Sequence, residues 1–496
     1  MALPGRRRPG RRGDRRAWRA DELDHRASTV APPSKKNREE RKDDPALITT
    51  TMETAVNSGQ WIVTSAAALC PALALADNGY FQIGYGAEAR GVAGAAAAST
   101  RDAFGGASNP ATTVWAGNRF DGNLIAINGR TSMSRAAGLP APVGGVLDTR
   151  TDSESRWVPL ADIAYSRMIN PDLSLSLVGY SNGAGTYFEG NTTTCLAPSP
   201  APAGSTYRGN LLCASGRAAT TIKQLTMAPT VSAKVSESFS VGFSLLIAGQ
   251  LFSAEGLQAL APQSAAPNHL TNQGTASSFG IGMRVGSYWR ASDALSFGAA
   301  YSPRIRMGRL KEYEGLLADQ GRLDIPENLL LGMQWSPRQD LSFLFDYQRI
   351  NYSGTSGLGN RAFDGTALRG SSGGPGNDWK DINVFKLGVR YQVTPAWHVS
   401  GGVSLNSAAY ADVDTANNVT SPATFRRHYT LGLGYASAAN ATWSVFYSLS
   451  PGHTTSGSSA LGSAVATQLS GNATVSGQET LATRQQSIGV QYSQRF

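Results

Sequence analysis

Leu341-Ser342-Phe343-Leu344-Phe345-Asp346-Tyr347-Gln348 places large apolar side chains at its odd positions and puts Ser342, Asp346 and Gln348 on the other face. Alternation with a period of two marks a strand whose two faces meet different surroundings. The same sorting recurs in Phe385-Lys386-Leu387-Gly388-Val389-Arg390-Tyr391-Gln392-Val393, in Tyr429-Thr430-Leu431-Gly432-Leu433-Gly434-Tyr435 and in Trp443-Ser444-Val445-Phe446-Tyr447-Ser448-Leu449. From about Phe120 to the end, such segments are punctuated by Gly, Pro, Asn, Asp and Ser. In a soluble sandwich the polar face meets water and fills with Lys, Glu and Asp; here it is mainly Ser, Gly, Thr and Gln. Aromatic residues flank the strands at Tyr347, Tyr391, Trp397, Tyr429, Tyr435 and Trp443, as a lipid-facing girdle requires. A spanning strand needs only ~9–11 residues, and every backbone N–H and C=O in lipid must be paired, so the sheet must close on itself. The economical architecture is an all-β membrane protein, an antiparallel transmembrane β-barrel in the outer membrane of a Gram-negative bacterium.

Composition agrees. Charged residues make up 16% of the 496 and Gly accounts for 55, against typical values of about 25% charged and about 7% Gly. A helical membrane bundle would need repeated apolar runs of about 20 residues; only one candidate run exists, near the N-terminus. The formal net charge of +9 is mostly a property of residues 1–51, which hold 14 Lys and Arg against 8 Asp and Glu, whereas the 420 residues from Asp77 onward carry +4. Runs such as Arg6-Arg7-Arg8 read as a basic disordered extension. It is either an arm for anionic partners or, the reading preferred here, a stretch upstream of a secretion signal that is not translated; no nucleic-acid partner is expected.

That signal is assigned to residues 52–76. Trp61 to Ala76 is a short apolar run closing on Ala74-Leu75-Ala76, which predicts cleavage before Asp77. Pro71 and the small-residue exit argue against an uncleaved anchor, and Leu69 before Cys70 argues against lipidation. Cleavage removes Cys70 and leaves Cys195 and Cys213 in a Thr- and Pro-rich loop, an even pair in an oxidising compartment, which predicts a disulfide clip. Two cysteines without adjacent His make a zinc site improbable, and no metal or cofactor motif is evident.

Residues 77–118 lack period two and are dominated by Ala and Gly, which let backbone pack closely inside a confined space. They read as a weakly helical plug, or hatch, ahead of a barrel spanning 119–496. Gly79-Tyr80-Phe81, Gly84-Tyr85-Gly86, Arg90-Gly91-Val92-Ala93-Gly94-Ala95, Asp102-Ala103, Asn109-Pro110-Ala111 and Gly117-Asn118-Arg119-Phe120-Asp121 together resemble the hatch of the FadL family, the outer-membrane transporters of long-chain fatty acids and aromatic hydrocarbons. Ile325-Pro326-Glu327-Asn328 to Gly332 and Asp378-Trp379-Lys380-Asp381 resemble the same family. Thr112-Thr113 departs from the Gly or Leu that its members often carry there. The end, Ile488-Gly489-Val490-Gln491-Tyr492-Ser493-Gln494-Arg495-Phe496, is similar to the C-terminal signal read by the barrel-assembly machinery, with Gln494 out of pattern.

The resemblance implies a monomeric barrel of 14 strands whose lumen is plugged by the hatch, with Arg90, Gly91, Asp102, Asn109, Pro110 and Ala111 as hatch residues. It also implies sideways release of cargo through a kinked third strand, about Asp172 to Tyr187. There Gly179, Asn182, Gly183 and Gly185 stand where Leu173-Ser174-Leu175-Ser176-Leu177 gives way to small residues, and glycines at a strand end permit a bulge or kink. A protein facing lipopolysaccharide would capture a hydrophobic small molecule on apolar outer loops, with Leu251, Phe252 and Leu257 as the candidate surface, and release it into outer-membrane lipid. If the cargo is a fatty acid, its carboxylate needs a basic partner; strand parity places Arg304, Arg306, Lys386 and Arg390 in the lumen as candidates, the alternative being that they pair with lumen acids such as Asp346 or with the hatch. Transport is expected to be passive, because no Gly-rich segment carries the Lys-Ser/Thr pair of a P-loop. Two other classes remain open: a general porin for hydrophilic solutes, which lacks a hatch, and a lipid hydrolase using His398 and Ser400, which parity turns away from the lipid.

Overall fold

The computed structural model describes residues 78–139, 143–198, 200–202, 204–437, 440–470 and 477–496, and no side chain of 466–470. The extension and signal assigned to residues 1–76 lie outside them. The barrel strands are β1 (Arg119–Ala136), β2 (Trp157–Asn170), β3 (Leu173–Phe188), β4 (Ala218–Lys234), β5 (Phe239–Glu255), β6 (Ala276–Arg290) and β7 (Leu295–Ser302). They continue as β8 (Glu327–Arg338), β9 (Leu341–Asn351), β10 (Ile382–Gln392), β11 (Trp397–Asn406), β12 (Arg427–Ala436), β13 (Ala441–Ser458) and β14 (Gln478–Arg495). Each pairs antiparallel with its sequence neighbours, and β14 returns to β1 in unbroken register from Arg119↔Arg495 to Ala136↔Gln478. Fourteen strands therefore close without an edge, as a sheet in hydrocarbon must.

Connections alternate between turns of 2 to 4 residues and loops of 19 to 30, the asymmetry between the periplasmic and outer ends of such barrels. The period-two pattern now has its cause: Leu431 is 66% exposed on the barrel exterior while Thr430 beside it is 4% exposed. Exterior aromatics form two girdles. Trp397 lies 4.6 Å from Tyr435 and Trp443 4.9 Å from Tyr492 at the short-turn end, and Tyr347 lies 5.3 Å from Phe385 at the loop end.

The chain from Asn78 to Gly117 is folded inside. It contains α1 (Ala87–Arg90), two 3₁₀ turns (Phe104–Ala107 and Pro110–Thr112) and α2 (Thr113–Ala116). The lumen wall meets it with glycine. A Cβ on Gly388 of β10 would fall 2.6 Å from Cβ of Val92, and one on Gly432 of β12 would fall 3.0 Å from Cα of Gly91. Part of the high glycine content is therefore a seat for the plug, where the wall must approach another backbone closely.

Candidate functional site

The plug is held by buried polar contacts of which the wall supplies half. On β9, Asp346 accepts from the backbone N–H groups of Ala96 and Ala97, each at 2.9 Å. Across the strand pair, Lys386 donates to the carbonyl of Ile83 at 2.9 Å. The carboxylate of Glu88 in α1 receives Arg390 at 2.7 Å on one oxygen, and on the other lies 3.1 Å from His398 Nε2 and accepts the Ser444 hydroxyl. Lys386 and Arg390 both face the lumen, and both are engaged by the hatch. Asn109 caps the second 3₁₀ turn by accepting from Ala111 N–H, while its amide donates to the carbonyls of Ala97 at 2.8 Å and Ser287 at 2.9 Å, so Asn109-Pro110-Ala111 is fixed to β6. Asp102 receives Phe104 N–H at 3.1 Å, Arg90 is buried with its guanidinium 5.2 Å from the Phe446 ring centre, and Gly91 lies against Gly432.

The wall is incomplete on one side of β3. Against β4 the register runs without interruption from Leu173↔Ala233 to Phe188↔Ala218. Against β2 it ends at Gly179↔Ile163, although β2 continues to Trp157 in pairing with β1. Above Gly179 the freed backbone of β3 finds substitutes. Ser181 N–H donates to the Asp162 carboxylate at 3.3 Å, Gly183 N–H to the carbonyl of Tyr80 at 3.2 Å, and the Ser181 carbonyl accepts from the Gln82 side chain. Asn182 receives the Tyr85 hydroxyl at 3.0 Å. The first hatch residues thus stand in for a missing strand partner, and Gly183, Ala184 and Gly185 leave that part of the wall without bulky side chains.

Outward of the plug, the long loops line a cavity that is partly open to the outside. Phe252, Leu257, Leu260, Leu317, Leu323 and Trp379 supply its apolar lining; Tyr80 and the β3 residues Ala184, Gly185 and Thr186 form the side next to the wall gap. Leu251 is buried on the opposite face of its strand from Phe252 and does not line the cavity. Tyr352 joins cavity to plug: its hydroxyl donates to the carbonyl of Asn78 at 2.7 Å and accepts Tyr80 N–H at 3.1 Å, and its ring stands edge-on to Trp379 at 5.1 Å.

Among the described residues, one cation lines this cavity. Arg369, in the loop after β9, is 8% exposed and is positioned by backbone bonds on both sides, donating its N–H to Gln263 at 2.7 Å and accepting Ala265 N–H at 3.0 Å. Its guanidinium reaches only amide oxygens, Gln263 at 3.3 Å and Asn417 at 3.1 Å, and among the described residues no carboxylate pairs with it. Burial pushes its pKa down to about 10, which leaves it cationic at neutral pH. Strand periodicity gives no access to a loop residue of this kind.

Arg304 and Arg306 differ from the sequence expectation. Pro303 cannot donate to the ladder, β7 ends at Ser302, and the parity extrapolated from it lapses. Ile305 and Met307 fold inward against β6, at 3% and 2% exposure, and Arg304 and Arg306 lie exposed. Cys195 and Cys213 form a disulfide with Cα atoms 5.7 Å apart, closing a loop that carries the hairpin Thr193–Leu196 and Thr206–Gly209.

The family model described as outer membrane protein transport protein (OMPP1/FadL/TodX) matches residues 61–488. The chain belongs to this family. Its barrel is similar to the P. putida toluene transporter TodX, with TM-score 0.59 and 15% identity over 84% of this chain and 99% of that one. A Pseudomonas aeruginosa FadL homologue superposes with TM-score 0.58 and 16% identity over 84% and 100% of the two chains, and the Ralstonia pickettii toluene transporter TbuX with 0.53 and 15% over 84% and 99%. No curated protein matches the chain in sequence. As a member of the OMPP1/FadL/TodX family, the protein is an outer-membrane transport barrel, and His398, one half of the hydrolase pairing considered above, is bound to Glu88 of the plug.

Proposed function

We propose that this barrel is a passive channel for hydrophobic compounds. It captures them in the outer cavity and releases them sideways into the bilayer between β2 and β3. The observation that carries the reading is the shared wall: Tyr80, Ala184, Gly185 and Thr186 line the cavity and belong to, or bond with, the stretch of β3 that lacks a β2 partner. A solute leaving the cavity there meets small residues and a backbone edge closed mainly by the hatch, with Asp162 of β2 the side chain that reaches Ser181. Lateral exit avoids moving the whole plug, which Glu88, Asp346 and Asn109 fix in place. TodX and TbuX are described as toluene transporters, and an apolar cavity suits such cargo equally well; Arg369 favours cargo with a carboxylate head. A buried cation is costly unless paired, and a carboxylate arriving on an apolar tail would supply a charge-assisted bond.

The discriminating experiment measures binding of oleate, oleyl alcohol and toluene to the detergent-solubilised protein and to Arg369→Gln. Loss of one hydrogen bond to a charged group is worth about 1.5–3 kcal/mol, so oleate affinity is expected to fall by about tenfold or more while the two neutral ligands bind unchanged. Equal effects on all three would remove the carboxylate reading and leave a neutral hydrocarbon. Trp379→Ala is expected to weaken all three, and binding unaffected by it would place the capture site elsewhere.

A further inference from the structure

On the barrel exterior at the loop end of the β14–β1–β2 wall, Arg130 of β1 and Arg484 of β14 stand directly opposite one another on the same face. Like charges so placed destabilise a sheet unless an anion lies between or beside them. The acids available are few. Asp152 is bonded to Arg130 and to the Ser132 hydroxyl; its carboxyl is held below the ordinary range by that hydroxyl first and then by Arg130 and Arg150. Arg150 sits opposite Ser134 on the other side of β1, and Glu154 is occupied by Arg156. Among the described residues, neither Arg484 nor Arg150 forms a close side-chain ion pair; Arg150 acts on Asp152 only at longer range, and Asp152 is already bonded to Arg130.

The height of the cluster matters as much as its charge. Directly below it on the same face come Asn128 and Gln486, paired across the strands, with Trp157 of β2 beside Asn128. Below those lie Leu124, Ile488 and Val490, at 62%, 51% and 36% exposure the lipid-facing surface. From Phe120, whose cross-strand partner Tyr165 stacks on Phe496 at the short-turn end, to Arg130 is ten residues. At about 3.4 Å per residue and about 40° of tilt this is about 26 Å along the membrane normal, against an apolar band of about 25 Å. The arginines emerge where the outer-leaflet head groups begin. Below them Gly122, Ala126 and Ala161 leave shallow exterior surface on which acyl chains can lie.

We propose that Arg130, Arg150 and Arg484 form a binding site for the phosphate groups of an outer-leaflet glycolipid, lipid A of lipopolysaccharide. Guanidinium groups match phosphate oxygens in a fork that ammonium groups do not reproduce, and a phosphate between Arg130 and Arg484 turns their repulsion into a bridge. The adjoining apolar strip makes the ligand a lipid rather than free phosphate.

The test is native mass spectrometry of the detergent-solubilised protein titrated with three probes: bisphosphorylated lipid A, the same lipid A with both phosphates removed, and inorganic phosphate. Correct assembly is checked by heat-modifiable gel migration. The protein is expected to retain bisphosphorylated lipid A, with affinity falling about tenfold or more in Arg130→Gln/Arg484→Gln. Arg150→Gln should produce a smaller loss, and Arg349→Gln, on the distant β9 and paired with Asp381, none. Should the double variant fail to assemble, Arg484→Lys and Arg150→Gln carry the test, the lysine retaining part of the affinity. Unchanged binding in the arginine variants overturns the proposal. So does equal binding of the dephosphorylated lipid, and so does full displacement of lipid A by millimolar inorganic phosphate, which would make the cluster a general anion site.

Discussion

Replacing Glu88 with Ala should free the first helix of the plug without harming the barrel. Its carboxylate is 8% exposed and pairs with Arg390, 3% exposed, at 2.7 Å, while also holding His398 and Ser444. Breaking a buried ion pair by removing one partner costs about 3–5 kcal/mol, because the other charge stays buried and uncompensated. Every 1.4 kcal/mol is tenfold in an equilibrium constant, so the ratio of undocked to docked plug should rise by roughly two to three and a half powers of ten. No barrel ladder bond involves Glu88, so heat-modifiable migration should be unchanged. In planar bilayers, Glu88→Ala should show ion-conducting openings far more often than the parent protein. The double variant Glu88→Met/Arg390→Met replaces the pair with apolar groups of similar length, which is often neutral, and should restore the closed state. A Glu88→Ala trace identical to the parent's, or a double variant as leaky as the single, would refute the claim that this pair latches the plug.

Gly388→Val places new atoms against Val92, where even a Cβ would lie at 2.6 Å; overpacking of this kind costs about 1–3 kcal/mol and should raise protease access to residues 78–117 without loss of the folded barrel. Reducing the Cys195–Cys213 bond releases a loop whose entropic constraint is worth about 3 kcal/mol, so trypsin should cut at Arg208 faster under reducing conditions, and an unchanged rate would contradict that account. A disulfide engineered between Ala161→Cys on β2 and Ser181→Cys on β3 should span the wall gap; if exit is lateral, its oxidation slows uptake of hydrophobic cargo while leaving cargo binding in the outer cavity intact.

The barrel was legible because lipid imposes one rule on every strand: Leu431 outward and Thr430 inward is the same choice made at Phe345 and Asp346. The same parity sets Lys386 and Arg390 toward the lumen, but it carries no information about partners some 300 positions away, so their engagement by Ile83 and Glu88 could not be read. Parity also fails wherever the ladder ends, as Pro303 ends it before Arg304 and Arg306. Gly179, Gly183 and Gly185 announce an interruption in β3, yet not which neighbour is lost; the break lies wholly on the β2 side while β4 keeps full register. Arg369 was invisible because loops have no period, and its position depends on backbone pairing with a second loop around Gln263 and Ala265. The glycine count was conspicuous from the start, but its use as a seat for Val92 and Gly91 appears only when plug and wall are placed together.

The central claim, a plugged channel for hydrophobic cargo, is tested most directly in proteoliposomes by measuring entry of radiolabelled oleate and of toluene alongside arabinose-driven swelling. The account predicts faster entry of at least one hydrophobic compound than in protein-free vesicles, slowed by Trp379→Ala, with no swelling. Rapid swelling with hydrophobic entry at the protein-free rate would contradict it and make this barrel an open pore for hydrophilic solutes.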